Sequence, residues 1–434
     1  MKKFLALLVS LLMVLTLFVS CGGGGAAPAA EEGGEEEAAA AEGAFKVGLI
    51  CLHDENSTYD NNFMKAFKES CEKLGVEYAI KTGVPEGQEC KEEAANLADD
   101  GCKIIFADSF GHEPYMIEAA QEFPDVQFCH ATGTKAHTQN LPNYHNAFAA
   151  IYEGRYLAGV VAGMKLNELK EAGQLKGATP KMGYVGAFTY AEVVSGYTSF
   201  YLGAKSVCPD VTMDVTFTGS WYDETAEKEG ANKLIKEGAD LISQHADSMG
   251  APTACKEAGI PNVSYNGSTK AGNENSYLVS SRINWSPYYE YCIQQVQNGA
   301  AIDTDWTGTI ETGSVELLEL NDTEGVVAAG TQEKLDEVTA GLKDGTIHVF
   351  DTNNFTVTVK IDEADPSKSL NGNAKVDGDG NGKLTSYMAD VDDMGDYVGE
   401  TEVVSDGYFH ESEFRSAPYF DLQIDGINLL DAKF

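Results

Sequence analysis

From Phe45 onward, short apolar runs alternate with amphipathic stretches. The run Phe45–Cys51 reads as a strand. Phe63, Phe67, Cys71 and Leu74 then recur at helical spacing, and Gly75 closes that helix. Val76–Ile80 is a second strand. Residues 88–100 form a second helix with Cys90, Ala94, Leu97 and Ala98 inward, ended by Gly101. Ile104–Ala107 reads as a strand, 113–122 as a helix and Val126–Cys129 as a strand. A long helix, about 147–171, interrupts the rhythm. It restarts with Lys181–Val185 (strand), 191–206 (helix), Val211–Phe217 (strand) and 223–237 (helix), then Leu241–Ser243 (strand), 251–258 (helix) and Asn262–Ser264 (strand). Alternating strand and helix predicts an α/β fold with parallel sheets covered on both faces.

The two series mirror one another. Gly101-Cys-Lys-Ile-Ile leads to Ala107-Asp108-Ser109-Phe110-Gly111, and Gly238-Ala-Asp-Leu-Ile leads to Ala246-Asp247-Ser248-Met249-Gly250. The shared Ala-Asp-Ser-x-Gly falls at equivalent places, so two similar lobes are expected.

Ligands of open parallel sheets bind outside the carboxyl ends of the strands. The residues there mix rings with hydrogen-bonding groups. After the first strand come His53 to Asp60, including Tyr59. Asp108, Ser109 and Phe110 follow the third strand, and His130 and Thr132 the fourth. In the second half come Phe188 and Tyr190, Ser220 and Trp221, His245 and Asp247, then Tyr265 and Asn266. Helix capping accounts for Asp and Asn in such loops, but not for the aromatics. A flat polar ligand, stacked on rings and held by carboxylates and amides, suits this composition.

A chain of 434 residues with formal net charge −38 accommodates two lobes and disfavours nucleic acid as a partner. Lys2 and Lys3 precede the apolar run Phe4–Val19, which is short for a membrane span. The segment Leu17-Phe18-Val19-Ser20-Cys21 resembles a bacterial lipoprotein box, so residues 1–20 are expected to be a signal peptide and Cys21 a lipidation site. Residues 22–44 are Gly, Ala, Glu and a single Pro, and read as an acidic tether. The other eight cysteines never occur as Cys-x-x-Cys, so buried thiols are expected rather than a zinc site.

Four stretches, taken in order with the lipoprotein start, resemble the basic-membrane-protein family of type I periplasmic-binding lipoproteins, which serve ATP-binding-cassette transporters. They are His53–Asp60, Glu153-Gly154-Arg155-Tyr156-Leu157-Ala158-Gly159, Met182–Gly186 and Ser281–Tyr289; the tail Asp406–Glu411 also fits. The resemblance implies two Rossmann-like lobes joined by three hinge crossovers. The first lobe would be 45–178 with about 283–315. The second would be 179–282 with about 316–434, carrying an insertion at about 356–386. It implies an extracytoplasmic, lipid-anchored monomer that captures a purine nucleoside or nucleobase and delivers it to a permease. By position, Tyr59 matches a stacking aromatic, Asp60 its polar neighbour, Asp108 an acidic loop residue, and Arg282 falls near a lysine of the relatives.

A sensor subunit of the same fold and a secreted hydrolase are the competing readings. No Gly-x-Ser-x-Gly, Gly-x-Gly-x-x-Gly, P-loop or His-Glu-x-x-His occurs, so binding is favoured over catalysis. Asp377, Asp379 and Asn381 match early positions of a calcium loop, but Met388 stands where its last acid belongs. A Gly-rich hairpin turn is the preferred reading there, with no cofactor expected.

Overall fold

Alternation along the first strand shows how the first sheet is buried. In β1 (Lys46–Ile50), Val47 and Leu49 join a cluster with Phe63, Phe67 and Trp285, while Ile50 joins one with Cys90, Leu97 and Met116. Successive side chains of a strand point to opposite faces, so each face of the sheet packs its own helices. The computed structural model describes residues 45–365, 368–391 and 401–431.

The first series runs β1, α1 (Thr58–Leu74), β2 (Glu77–Lys81), α2 (Gln88–Asp99), β3 (Ile104–Ala107), α3 (Glu113–Glu122), β4 (Gln127–Ala131), α4 (Ala136–Gln139) and β5 (Tyr144–Ala149). Helix α5 (Ile151–Glu171) leads to the second: β6 (Lys181–Gly186), α6 (Ala191–Val207), β7 (Thr212–Phe217), α7 (Glu224–Lys236), β8 (Leu241–His245), α8 (Gly250–Ala258), β9 (Asn262–Tyr265) and β10 (Tyr277–Ile283). Then come α9 (Ser286–Gln297), β11 (Asp305–Gly308), β12 (Val315–Leu317) and α10 (Thr331–Lys343). The rest is short strands: β13 (Val357–Thr358), β14 (Ala374–Val376), β15 (Asn381–Gly382), β16 (Leu384–Ala389), β17 (Thr401–Glu402), β18 (Val404–Ser405), β19 (Tyr408–Phe409) and β20 (Ile427–Leu429).

The first sheet has the order β11-β5-β4-β3-β1-β2 and the second β12-β10-β9-β8-β6-β7-β20. All pairs are parallel except β10 with β12. The β2-β1-β3-β4-β5 core of one sheet is repeated as β7-β6-β8-β9-β10 in the other. The Ala-Asp-Ser-x-Gly repeat therefore follows equivalent strands, β3 and β8. The chain passes from the first sheet to the second through α5, back through α9 to β11, and over again to β12. These are three crossovers.

The strand β5 lies where the sequence pattern suggested loop and the start of a helix. Its polar residues disguise it. His145 Nε2 pairs with Gln127 Oε1 at 2.9 Å, and Asn146 Oδ1 accepts from Ala136 N at 2.7 Å. Polar groups so satisfied can be buried in mid-sheet. All eight cysteines from Cys51 to Cys292 are buried free thiols, as expected. Burial pushes Cys71 up to about 12 and Cys102 up to about 11.

The Asp377 stretch is the turn between β14 and β16, which pair antiparallel. Asp377 Oδ1 accepts from Lys383 N at 2.8 Å, Asn381 Nδ2 donates to Asp425 Oδ2 at 2.7 Å, and Asp379 is exposed. Cys21 and the signal-like segment lie outside the described residues. Among the described residues, no helix is long and apolar enough to cross a membrane.

Candidate functional site

Residues that follow strand ends of both sheets line one enclosed cavity. From the first sheet come Leu52, His53, Tyr59, Asp60, Ser109, Phe110 and Thr132. From the second come Glu192, Trp221, His245 and Asp247. The free space is about 20 Å³, room for about one water molecule, so the lobes stand closed upon each other. Thr58 donates from its N–H at 2.9 Å and its hydroxyl at 3.2 Å to the Asp247 carbonyl, tying α1 to the end of β8. Phe110 stacks on Tyr190 with centroids 5.0 Å apart, and His53 meets Tyr222 at 5.6 Å.

Ser57 caps α1 and thereby sets Tyr59 and Asp60 in its first turn. The Tyr59 hydroxyl donates to the Asp108 carbonyl at 2.7 Å, and its ring lies 4.8 Å from that of Phe63. The buried Asp60 carboxylate accepts from His53 N at 2.7 Å and Ser57 Oγ at 2.5 Å. Burial alone would raise its pKa, but the bonds from His53 and Ser57 outweigh it and hold the carboxyl below its ordinary value.

The other two aspartates behave oppositely. Burial, then the Asp60 charge, pushes both Asp108 and Asp247 well above the carboxylate range. Both are shifted toward the protonated form, which can donate as well as accept. Asp108 Oδ1 accepts from Leu52 N at 3.2 Å, while Oδ2 has no partner. Burial lowers the pKa of His245, so its ring is neutral, and its Nε2 lies 3.2 Å from Glu192 Oε1. Beneath it Arg155 is fully buried, its guanidinium 3.6 Å from the Tyr265 ring centre and 2.7 Å from the Tyr184 hydroxyl. The quasi-symmetry extends to the backbone. Thr132 and Asn266, one residue beyond β4 and β9, have φ of 64° and 60°. A β-branched residue there is strained, and such strain collects at ligand sites.

Of the residues singled out from the sequence, Tyr59, Asp60, Ser109, Phe110, Trp221, His245 and Asp247 meet at the cavity. Asp108 turns its carboxyl toward Cys51 and Asp60 behind the cavity wall. Phe188 sits behind Trp221, with centroids 5.0 Å apart. Asn266 is buried next to β9, outside the lining. Arg282 lies away from the cavity, paired with Glu316 at 2.5 Å. Leu52 and Glu192 are the lining residues that pattern reading passed over. An acid in a helix's first turn reads as a partner for the helix dipole. Ligand atoms of Cys51, Asp60 and Asp108 lie within 4.8 Å of one another, the metal-like grouping found among the described residues. Burial pushes Cys51 and Asp108 toward their protonated forms, and Asp60 already accepts from His53 and Ser57, so the trio is poorly suited to a cation.

Two doubly wound lobes, joined by three crossovers and closing on a cleft between strand ends, define the class of two-lobed solute-binding proteins. The chain belongs to the family described as ABC transporter substrate-binding protein, PnrA-like, which it matches over residues 48–351. It is thus a substrate-binding protein of an extracytoplasmic transport family. A purine-binding protein of Brucella abortus is 33% identical over 359 residues, covering 81% of this chain and 94% of that protein. A putative ABC transporter glucose-binding protein of Haloferax volcanii is 32% identical over 250 residues, covering 57% and 59%. A solute-binding protein of an ABC transporter system from Conexibacter woesei shares the fold with a TM-score of 0.58 at 21% identity, covering 70% of this chain and 98% of that one.

Proposed function

We propose that this protein captures a purine nucleoside or nucleobase outside the cell, closes on it by hinge motion, and hands it to the permease of an ABC importer. The observation that carries the reading is the convergence of Tyr59, Phe110 and Trp221 with Asp60 and Asp247 from two lobes on one cleft. Rings stack on a flat heterocycle, while the carboxyl groups of Asp60 and Asp247 supply hydrogen-bonding partners for its polar edge. A relative named for purine binding, aligned over nearly its whole length, supports the same ligand class. We further propose a monomer without catalytic activity or cofactor, held to the membrane through lipid on Cys21.

Thermal melting tests the ligand class. A purine compound at about 100 times its Kd stabilises the native state by about 2.7 kcal/mol. The Haloferax relative makes glucose the rival. Stabilisation by glucose, with purines and pyrimidines inert, overturns the purine reading. For the anchor, Cys21→Ala is expected to release the protein into the medium. A variant retained in the membrane fraction with its signal segment intact contradicts lipidation.

A further inference from the structure

The first amides of a helix have no acceptor within it. In α1 the amide of Thr58, the first residue, finds its acceptor in the other lobe. Thr58 N donates to the Asp247 carbonyl at 2.9 Å, and the Thr58 hydroxyl donates to the same oxygen at 3.2 Å. Each side of this contact is fixed within its own lobe. Ser57 is fully buried and caps α1, its Oγ accepting from Asp60 N at 3.2 Å. Opposite, Asp247 N donates to the Trp221 carbonyl at 3.0 Å. Gly267, two residues beyond β9, closes over the same spot. A Cβ on it would stand 3.2 Å from both Cβ and Cγ2 of Thr58. Its φ lies outside the left-handed region, so the approach of Thr58 is what calls for glycine here. Neither Thr58 nor Gly267 lines the cavity. The cavity has room for about one water molecule, so a larger ligand enters or leaves only when the lobes part, and parting breaks the Thr58 bonds.

We infer that Thr58, the Asp247 carbonyl and Gly267 form a latch that holds the lobes shut whether or not a ligand is inside, and so sets how fast the cleft opens. The inference rests on capture by hinge closure, as proposed above, and not on which molecule is captured. A contact made equally in the empty and the loaded closed forms has no preference between them, so most of its free energy cancels from the binding equilibrium. It stays in the rates, because entry and release both pass through the opened lobes. Thr58 is thus a positioning residue, acting on the ligand through the lobes and not by touching it.

Two substitutions in the full chain act on the closed form alone. Thr58→Pro removes both donors and suits its place. Proline is favoured at the first helical position, and Ser57, at φ −73° and ψ 127°, already has the extended conformation that a following proline requires. Gly267→Ala wedges the latch from the other lobe. Stopped-flow mixing with adenosine, read by the fluorescence of Trp221 in the cavity wall, gives the entry and release rates. Thr58→Pro is expected to speed release at least about fivefold, the low end of what two net hydrogen bonds are worth. Entry should also be faster, so Kd moves by less than the release rate does. Gly267→Ala should shift both rates in the same direction, and it carries the comparison alone if Thr58→Pro fails to melt cooperatively. Hydrogen exchange of the unliganded protein reads the latch directly. The Thr58 amide should be protected in wild type and exchange several-fold faster in Gly267→Ala. Wild-type rates in a folded latch variant, a Kd that rises as steeply as the release rate, or equal Thr58 exchange in wild type and Gly267→Ala overturns the latch and leaves the purine reading standing. Should adenosine fail to bind wild type, the exchange comparison decides the latch by itself and the melting screen decides the purine reading.

Discussion

Tyr59 does two things with one side chain. Its hydroxyl holds the Asp108 carbonyl at 2.7 Å, its ring rests against Phe63, and another part of the ring faces the cleft. The two roles separate by substitution. Tyr59→Ala is expected to weaken ligand binding by about 1–3 kcal/mol, a factor of roughly 5 to 150, the scale of one base–aromatic contact. Tyr59→Phe keeps the ring and should bind nearly as well, while losing about 0.5–1.5 kcal/mol of unliganded stability with its hydrogen bond. Calorimetric titration beside unliganded melting reads both. Full affinity in Tyr59→Ala with a lowered melting temperature would make the residue purely structural. Tyr59 was legible because capping does not call for a ring at a strand end, whereas Asp60, an ordinary acid for a helix's first turn, stood out through the family resemblance. The role of Asp108 was not legible. Its carbonyl serves a tyrosine 49 positions away and its carboxyl faces inward, relations that no local pattern carries.

The run Glu153–Gly159 was visible as a motif, but its reason emerges only between helices. A side chain on Gly159 would place its Cβ 2.0 Å from the Phe200 carbonyl oxygen, and one on Gly203 would lie 2.0 Å from that of Tyr156. Helices α5 and α6 therefore meet backbone to backbone, and this contact joins the first crossover to the second lobe. Gly203→Ala is expected to cost at least about 3 kcal/mol, the upper end of ordinary overpacking, since the clash is with rigid backbone. Urea denaturation measures it, and a loss below about 1 kcal/mol would show that the helices can part. Elements with a clean period were read well. Helix α3 spans Glu113–Glu122 as the spacing predicts, and Gly75 caps α1 with φ of 66°. Strand β5 escaped because His145 and Asn146 look exposed in sequence and are satisfied only by distant partners.

At the scale of the molecule, the doubled rhythm revealed two similar lobes. The returning strands were hidden: β11 has four residues and pairs with β5, and β20 has three and pairs with β7. Folding buries carboxyl groups, and their titration shapes the response to pH. Burial raises Glu153 and Glu227 to about 7 and Glu411 to about 8, from an ordinary 4.5. Between 4.5 and these values the unfolded chain has released protons that the folded chain still holds, so stability falls as pH rises. Asp60, Asp425 and Asp431 are lowered from 3.8, and their contribution is lost as pH falls below that value. The buried His112, His130, His145 and His245 are lowered from 6.5 by burial, so their contribution is lost as pH falls below that value, and the optimum lies near pH 6.5, between these sets and the glutamates. A formal charge of −38 adds self-repulsion that also grows with pH, but salt screens that part and spares the buried groups. The melting temperature at pH 6.5 should exceed that at pH 8, and the difference should persist at about 0.5 M salt. Glu411→Gln should flatten the portion above pH 7, where Glu411, raised to about 8, is still titrating. Equal or greater stability at pH 8 in high salt would mean that these three glutamates ionise freely in the folded chain.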